Sequence, residues 1–150
     1  MICLLQRVKN AKVEINKHIK GEIAHGLLVF ICAEPSDTPD IIDKTLRKIL
    51  SLRIFSDDDG KMNLNVQQVN GGLLLVSQFT LAAETRRGNR PGFSQAAPPE
   101  QAQALFDLFV QRAQALHPIV QTGQFGADMQ VHLVNDGPVT IPLHVTASPA

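Results

Sequence analysis

The sequence predicts an α+β protein: antiparallel or mixed sheets with two main helices packed against them, in a single domain spanning residues 1–150. Three observations carry that reading. Strand-like segments occupy both ends and the middle of the chain, two well-separated segments repeat apolar residues at helical spacing, and no linker, repeat or low-complexity stretch divides them. A chain of 150 residues can also bury a core of its own, removing roughly 68–70% of the surface that its unfolded form exposes.

The first 34 residues read as a meander. ICLLQRV is followed by KVEIN with alternating Val13 and Ile15, a turn is expected around Lys20–Gly21, and the apolar run LLVFICA follows Gly26. Asp37 or Thr38 can cap a helix with Pro39 in its first turn. That helix runs to about Leu50, because Ile41, Ile42, Leu46, Ile49 and Leu50 recur at helical spacing. Leu52 to Phe55 is a candidate short strand and DDDGKMN a turn. NVQQV and GLLLVSQ are then expected to pair as a hairpin around Asn70–Gly71.

Pro98 and Pro99 open a second helix, in which Ala102, Leu105, Phe106, Phe109, Ala113 and Leu116 form one apolar stripe, and Pro118 ends it. MQVHLVN and VTIPLHV follow as two strand-like segments joined by Asp136–Gly137–Pro138. The tail from about residue 146 to residue 150 is expected to fray.

Composition excludes several functions. The 44% apolar and 19% charged content fits a soluble globular protein, and no apolar run approaches the ~18 residues that a membrane span needs. MICLLQRVKN puts its charge after the apolar stretch and offers no small-residue cleavage site, so a cytoplasmic protein with no membrane partner is expected. Fourteen basic residues balance fourteen acidic ones, which argues against indiscriminate coating of nucleic acid, and no DNA partner is expected. The charge is nonetheless segregated. From Thr85 to Pro99 there are three arginines, Arg86, Arg87 and Arg90, and no acid. That loop is either solvated or a phosphate-binding surface.

Several familiar chemistries find no motif in the sequence. Cys3 and Cys32 each sit in an apolar run without zinc-site spacing, and read as buried free thiols. Placing Gly60 of the acidic run Asp57–Asp58–Asp59–Gly60 at position six of a calcium loop puts Phe55 and Val66 where carboxylates are required. The five histidines are scattered, and neither a P-loop nor a GxGxxG fingerprint occurs.

What remains is the end of the apolar run Leu73–Val76, which gives way to Ser77, Gln78, Phe79 and Thr80. A strand end offers free backbone N–H groups beside side-chain hydroxyls, a combination that can hold a developing oxyanion. Read alone, SQFT is more often a polar strand terminus than a site, and Gly137–Pro138 a common turn dipeptide.

Together the two stretches carry a resemblance. Ser77-Gln78-Phe79-Thr80-Leu81 resembles the SQFTL motif of D-aminoacyl-tRNA deacylases, and Asn135-Asp136-Gly137-Pro138-Val139-Thr140 resembles their NxGPVT motif. The likeness extends through Gln6-Arg7-Val8, Leu52-Arg53-Ile54-Phe55, Gly60-Lys61-Met62-Asn63, Arg90-Pro91 and Phe125-Gly126-Ala127-Asp128-Met129-Gln130. It departs at Ile2-Cys3 and after Leu143, away from both motifs.

The resemblance implies a barrel-like fold and a homodimer that hydrolyses the ester between a D-amino acid, or glycine, and the terminal adenosine of tRNA. It implies no metal or organic cofactor, and that Ser77, Gln78, Phe79 and Thr80 form the catalytic strand end. It also implies a cis Gly137–Pro138 bond, inserted from one subunit into the pocket of the other, that acts as a chirality gate supported by Arg7 and Asn135. Phe125 and Met129 are candidates for the adenosine pocket, and Arg86, Arg87 and Arg90 for phosphates of the acceptor end. Backbone N–H groups near Gln78 and Phe79 are the expected oxyanion donors, with water oriented by the RNA's own 2′-hydroxyl. A covalent route through Thr80 is the alternative mechanism. A non-catalytic tRNA-binding module and a small-ester hydrolase are the alternative functions.

Overall fold

The structure, a computed structural model, describes residues 1–147. In chain order it comprises β1 (Ile2–Ile15), β2 (His18–Ile23), β3 (Gly26–Cys32), α1 (Pro39–Ser51), β4 (Phe55–Ser56), β5 (Met62–Leu64) and β6 (Gly72–Ser77). A 3-10 turn (Phe79–Ala82), α2 (Pro99–Leu116), β7 (Val120–Thr122) and β8 (Gln130–His144) complete it. Of the tail expected to fray, residues 148–150 lie outside the described residues.

The main sheet is ordered β2-β1-β3-β6-β7, with β8 also paired to β1. The first half of β1 pairs antiparallel with β3 and its second half with β2, while β8 runs antiparallel along nearly its whole length. β3, β6 and β7 are mutually parallel. The far edge then curls back. A Cβ on Gly21 of β2 would lie 2.5 Å from the carbonyl oxygen of Thr122 in β7, so the missing side chain is what lets the two edges approach and the barrel nearly close.

Because successive strand residues point to opposite faces, the sheet separates two cores. Leu27, Val29 and Ile31 of β3, with Leu73 and Leu75 of β6, face outward beneath the helices. There they meet Ile42, Leu46 and Ile49 of α1 and Phe109 and Ala113 of α2. Leu28, Leu74 and Val76 point the other way, into a barrel interior shared with Val8, Val13 and Ile23. A strand buried on both faces reads as an unbroken apolar run. That is the pattern of LLVFIC and GLLLV.

Both helices form where expected. The Thr38 hydroxyl accepts the Ile41 N–H at 3.3 Å, capping α1, and Pro39 occupies its first turn. α2 begins at Pro99, and its stripe is buried from Leu105 to Ala113. Ala102 is half-buried, and Leu116, expected inside, is 51% exposed.

Several expected elements differ. The first turn lies at Asn16–Lys17, both at positive φ, and Lys20–Gly21 lies within β2. ICLLQRV and KVEIN are one continuous strand. NVQQV forms no hairpin arm: Asn65 and Gln68 exchange side-chain-to-backbone bonds at 2.8 and 2.9 Å, coiling the segment into a turn. β6 therefore pairs parallel with β3. The short strand after α1 is Phe55–Ser56, paired with β5. MQVHLVN and VTIPLHV are also one strand, β8, which carries the Asp136–Gly137–Pro138 turn as a bulge.

Candidate active site

The cleft opens where the parallel strands end. β6 delivers Ser77 and Gln78 to its floor, and the chain then turns into the 3-10 segment that carries Phe79 and Thr80. Cys32 and Ala33 at the end of β3 lie beside them. The start of α2 supplies Pro98, Pro99 and Ala102, and the loop between β7 and β8 supplies Phe125, Gly126, Ala127 and Met129. The cleft has a volume of about 640 Å³, in the range of small-ligand sites.

At the floor, the backbone decides which groups remain available. The Gln78 N–H donates to the Ile31 carbonyl at 2.8 Å, extending the parallel ladder. Phe79 and Thr80 open the 3-10 segment, and their N–H groups have no protein acceptor among the described residues. The free donors thus sit one residue further along than sequence reasoning placed them. The Gln78 side-chain amide donates to the Thr80 hydroxyl. Thr80 adjoins the cleft without being among the residues that line it.

Cys32 is a cleft residue that the sequence showed only as a buried thiol. Its thiol donates weakly to the Phe79 and Ala33 carbonyls, each at 3.6 Å. Burial, and then the charge of Glu34, hold it protonated by raising its pKa. Burial likewise pushes the Cys3 thiol up to about 12. For a thiol whose folded pKa is raised, stability is fully present below the unfolded value near 8.5 and is lost as pH rises towards the folded one. Chemical denaturation should therefore show stability falling between about pH 9 and pH 12, and Cys3→Ala should fall less steeply over that window. An identical decline in both proteins would contradict the assignment.

The second motif lies elsewhere in the chain. β1 and β8 pair Gln6 with Thr140 and Val8 with Asn135, so the single residue Arg7 faces the four-residue bulge Asp136–Val139. Arg7 braces that bulge, its Nε donating to the Asp136 carbonyl at 2.8 Å and its Nη1 to the Ile54 carbonyl at 2.7 Å. Asn135 closes it from inside. Its Oδ1 accepts the Val139 N–H at 2.8 Å, and its Nδ2 donates to the Thr140 hydroxyl at 2.9 Å. The Gly137–Pro138 peptide is cis, and Gly137 has φ +152°. Both residues are exposed, and neither lines the cleft of its own chain.

The arginine loop stands at the cleft mouth. Glu84 and Gly92 exchange two backbone hydrogen bonds at its base, and Glu84 also accepts the Arg86 N–H. Arg86, Arg87 and Arg90 are all exposed. None of them lines the cleft, whereas Phe93 and Ser94 from the same loop do. Sequence reasoning did not single out Phe93. Its ring packs edge-to-face on Phe79 with centroids 5.0 Å apart.

Fold and site together define a single-domain protein of the deacylase class, with a nearly closed mixed sheet, a strand end whose Phe79 and Thr80 N–H groups have no acceptor among the described residues, and a braced Gly-Pro bulge. The chain belongs to the D-Tyr-tRNA(Tyr) deacylase family, whose model matches residues 4–144. It is 62% identical over 145 residues to the D-aminoacyl-tRNA deacylase of Paracidovorax citrulli, covering 97% of this chain and 94% of the relative. To that of Pseudomonas fluorescens it is 61% identical over 140 residues, covering 93% and 97%. A solved structure named c-Myc DNA Unwinding Element Binding Protein superposes with a TM-score of 0.93 at 37% identity, covering 98% of this chain and all of that one. A probable eukaryotic D-amino acid tRNA deacylase shares the fold, with a TM-score of 0.82 at 15% identity over 95% and 97% of the two chains. No helix among the described residues is long and apolar enough to cross a membrane.

Proposed function

We propose that this chain hydrolyses the ester linking a D-amino acid, or glycine, to the 3′-terminal adenosine of tRNA, releasing free amino acid and tRNA. The observation that carries the reading is the strand end itself: two adjacent N–H groups, at Phe79 and Thr80, without a protein acceptor among the described residues, beside a cleft large enough for an aminoacyl-nucleoside. An aminoacyl ester is already activated. The site need only position water and stabilise the tetrahedral oxyanion as water adds to the carbonyl carbon. The carbon–oxygen bond to ribose then breaks, and the departing ribose oxygen takes up a proton.

The water route is favoured over an acyl-threonine. Thr80 accepts its recorded hydrogen bond from an amide N–H, which cannot take the hydroxyl proton. Thr80→Ala should therefore retain deacylation within about 10²-fold, short of the losses of 10³-fold or more typical of a missing nucleophile. A trapped acyl-threonine, or complete loss with intact folding, would favour the covalent route.

Phe125 and Met129 form the wall proposed to hold the adenosine. Gly137 and Pro138 are proposed to wall the α-carbon side, rejecting L-aminoacyl groups by steric clash without inspecting side chains. Glycine, with no side chain, passes such a wall. The turn sits away from its own cleft, which supports a homodimer in which each chain walls the partner's pocket. β8 supports the same reading: among the described residues it pairs with β1 alone, and Val134 on it is 48% exposed.

Arg86, Arg87 and Arg90 are proposed to meet phosphates of the acceptor end. Three phosphate contacts give a log–log salt slope of roughly −2 to −3. Neutralising all three should flatten the slope and leave the D/L ratio unchanged; an unmoved slope would show a solvated loop. Adding duplex DNA as competitor tests whether those cations prefer tRNA.

The deciding experiment compares release of one D-amino acid from tRNA and from its free ethyl ester. Rapid release from tRNA alone is expected. Equal rates would indicate a small-ester hydrolase, and binding without release a tRNA-binding module.

A further inference from the structure

We propose that Phe93, seated on Phe79, is the stacking platform for the base of the nucleotide preceding the terminal adenosine. The inference rests on the deacylase reading above and extends its substrate from one nucleoside to a single-stranded end of at least two nucleotides.

The chain has seven phenylalanines and no tyrosine or tryptophan, and a phenylalanine ring is stabilised by leaving water for the core. Five of the seven rings are buried or half-buried. The two exposed ones, Phe79 at 55% and Phe93 at 36%, touch each other at the cleft mouth. With the planes at 79°, the edge of one ring meets the face of the other. This contact covers at most one face of either ring.

The pair is held rather than trailing. Phe93 follows Gly92, which is bonded twice to Glu84, and the Phe93 carbonyl accepts the Ala96 N–H at 3.1 Å. Ala97 is tied in turn to the Ala33 carbonyl at 2.9 Å. The aromatic ring therefore sits on the anchored stem of the loop, with Arg86, Arg87 and Arg90 on its exposed tip. An aromatic face beside cations that carry no base-reading geometry is how proteins bind single-stranded nucleic acid without sequence preference. Position supplies the second argument. Phe79 and Phe93 line the cleft and are at the same time exposed, so a nucleotide chain leaving the cleft on their side passes their free ring faces.

The test measures deacylation of D-aminoacyl-tRNA and of D-aminoacyl-adenosine by the wild type and by Phe93→Ala, Phe93→Leu and Phe93→Trp. A lost stack should raise KM for the tRNA by about 5- to 100-fold in Phe93→Ala. The loss on D-aminoacyl-adenosine should be much smaller than the loss on tRNA, because only the tRNA carries the preceding base, and the turnover number on tRNA should fall by less than KM rises. Phe93→Leu keeps apolar bulk on Phe79 but has no aromatic face, so it should behave like Phe93→Ala, and Phe93→Trp should restore the wild-type KM. 2-Aminopurine at the penultimate tRNA position should be quenched on binding the wild type and not Phe93→Leu. Equal losses on both substrates, or an unchanged KM for tRNA, would overturn the platform while leaving the deacylase reading intact. A wild type that deacylates neither substrate would overturn both.

Discussion

Gly137→Val is expected to lower kcat/KM for D-aminoacyl-tRNA by about 10²-fold or more, a loss of the size that follows from misplacing a positioning element by 1 Å. A Cβ at residue 137 would lie 2.8 Å from both Cγ2 and N of Val139 and 3.3 Å from Nη2 of Arg7. The φ of +152° is also one that β-branched residues avoid. The bulge must shift, and it cannot shift without disturbing the Arg7 and Asn135 bonds that brace it. Because the residue is exposed and outside both cores, the loss should fall on rate and on the D/L ratio rather than on folding. Unchanged selectivity in a folded Gly137→Val protein would show that the bulge is no gate.

Mixing two inactive proteins should restore activity. One carries Gly137→Val, and the other has its cleft filled by Ala102→Trp, Ala102 being a lining residue on α2. If each chain walls its partner's pocket, a mixed dimer pairs the open cleft of the first with the sound bulge of the second. Random exchange in equal amounts makes half the dimers mixed, with one working site each, so activity should reach about a quarter of wild type from a starting value near zero. Native mass spectrometry verifies that mixed dimers have formed. No recovery in their presence would show that each chain builds a site from its own residues.

Both motifs were legible because each is continuous in sequence. SQFT and NDGPVT each read alone as a polar strand end and a common turn, and it is their occurrence together, in order, that carries the resemblance. Thr38 and Pro39 likewise announced α1 through neighbours in sequence. What escaped was set by distance. A strand buried on both faces looks the same in a hairpin as in a parallel pair, so GLLLVS gave no sign that its partner is β3, some 45 residues earlier. Lys20–Gly21 carried the better turn chemistry, yet Gly21 is needed where β2 approaches β7. Asn16–Lys17 makes the two-residue hairpin turn, although lysine seldom takes a positive φ. The free N–H groups are those of Phe79 and Thr80 and not that of Gln78, because the Ile31 carbonyl, remote in sequence, accepts the Gln78 N–H. Phe93 was invisible for a similar reason. An isolated phenylalanine reads as core until its neighbour in space, Phe79, turns out to be exposed as well.

The central claim is that this chain removes D-amino acids from tRNA by a steric test at the α-carbon. Single-turnover deacylation of one tRNA charged with the D- or the L-form of the same amino acid tests it most directly. The account predicts a D/L rate ratio well above the ~10–200-fold that a methylene's worth of pocket preference could supply. A ratio near one, with rapid release from both, would contradict it.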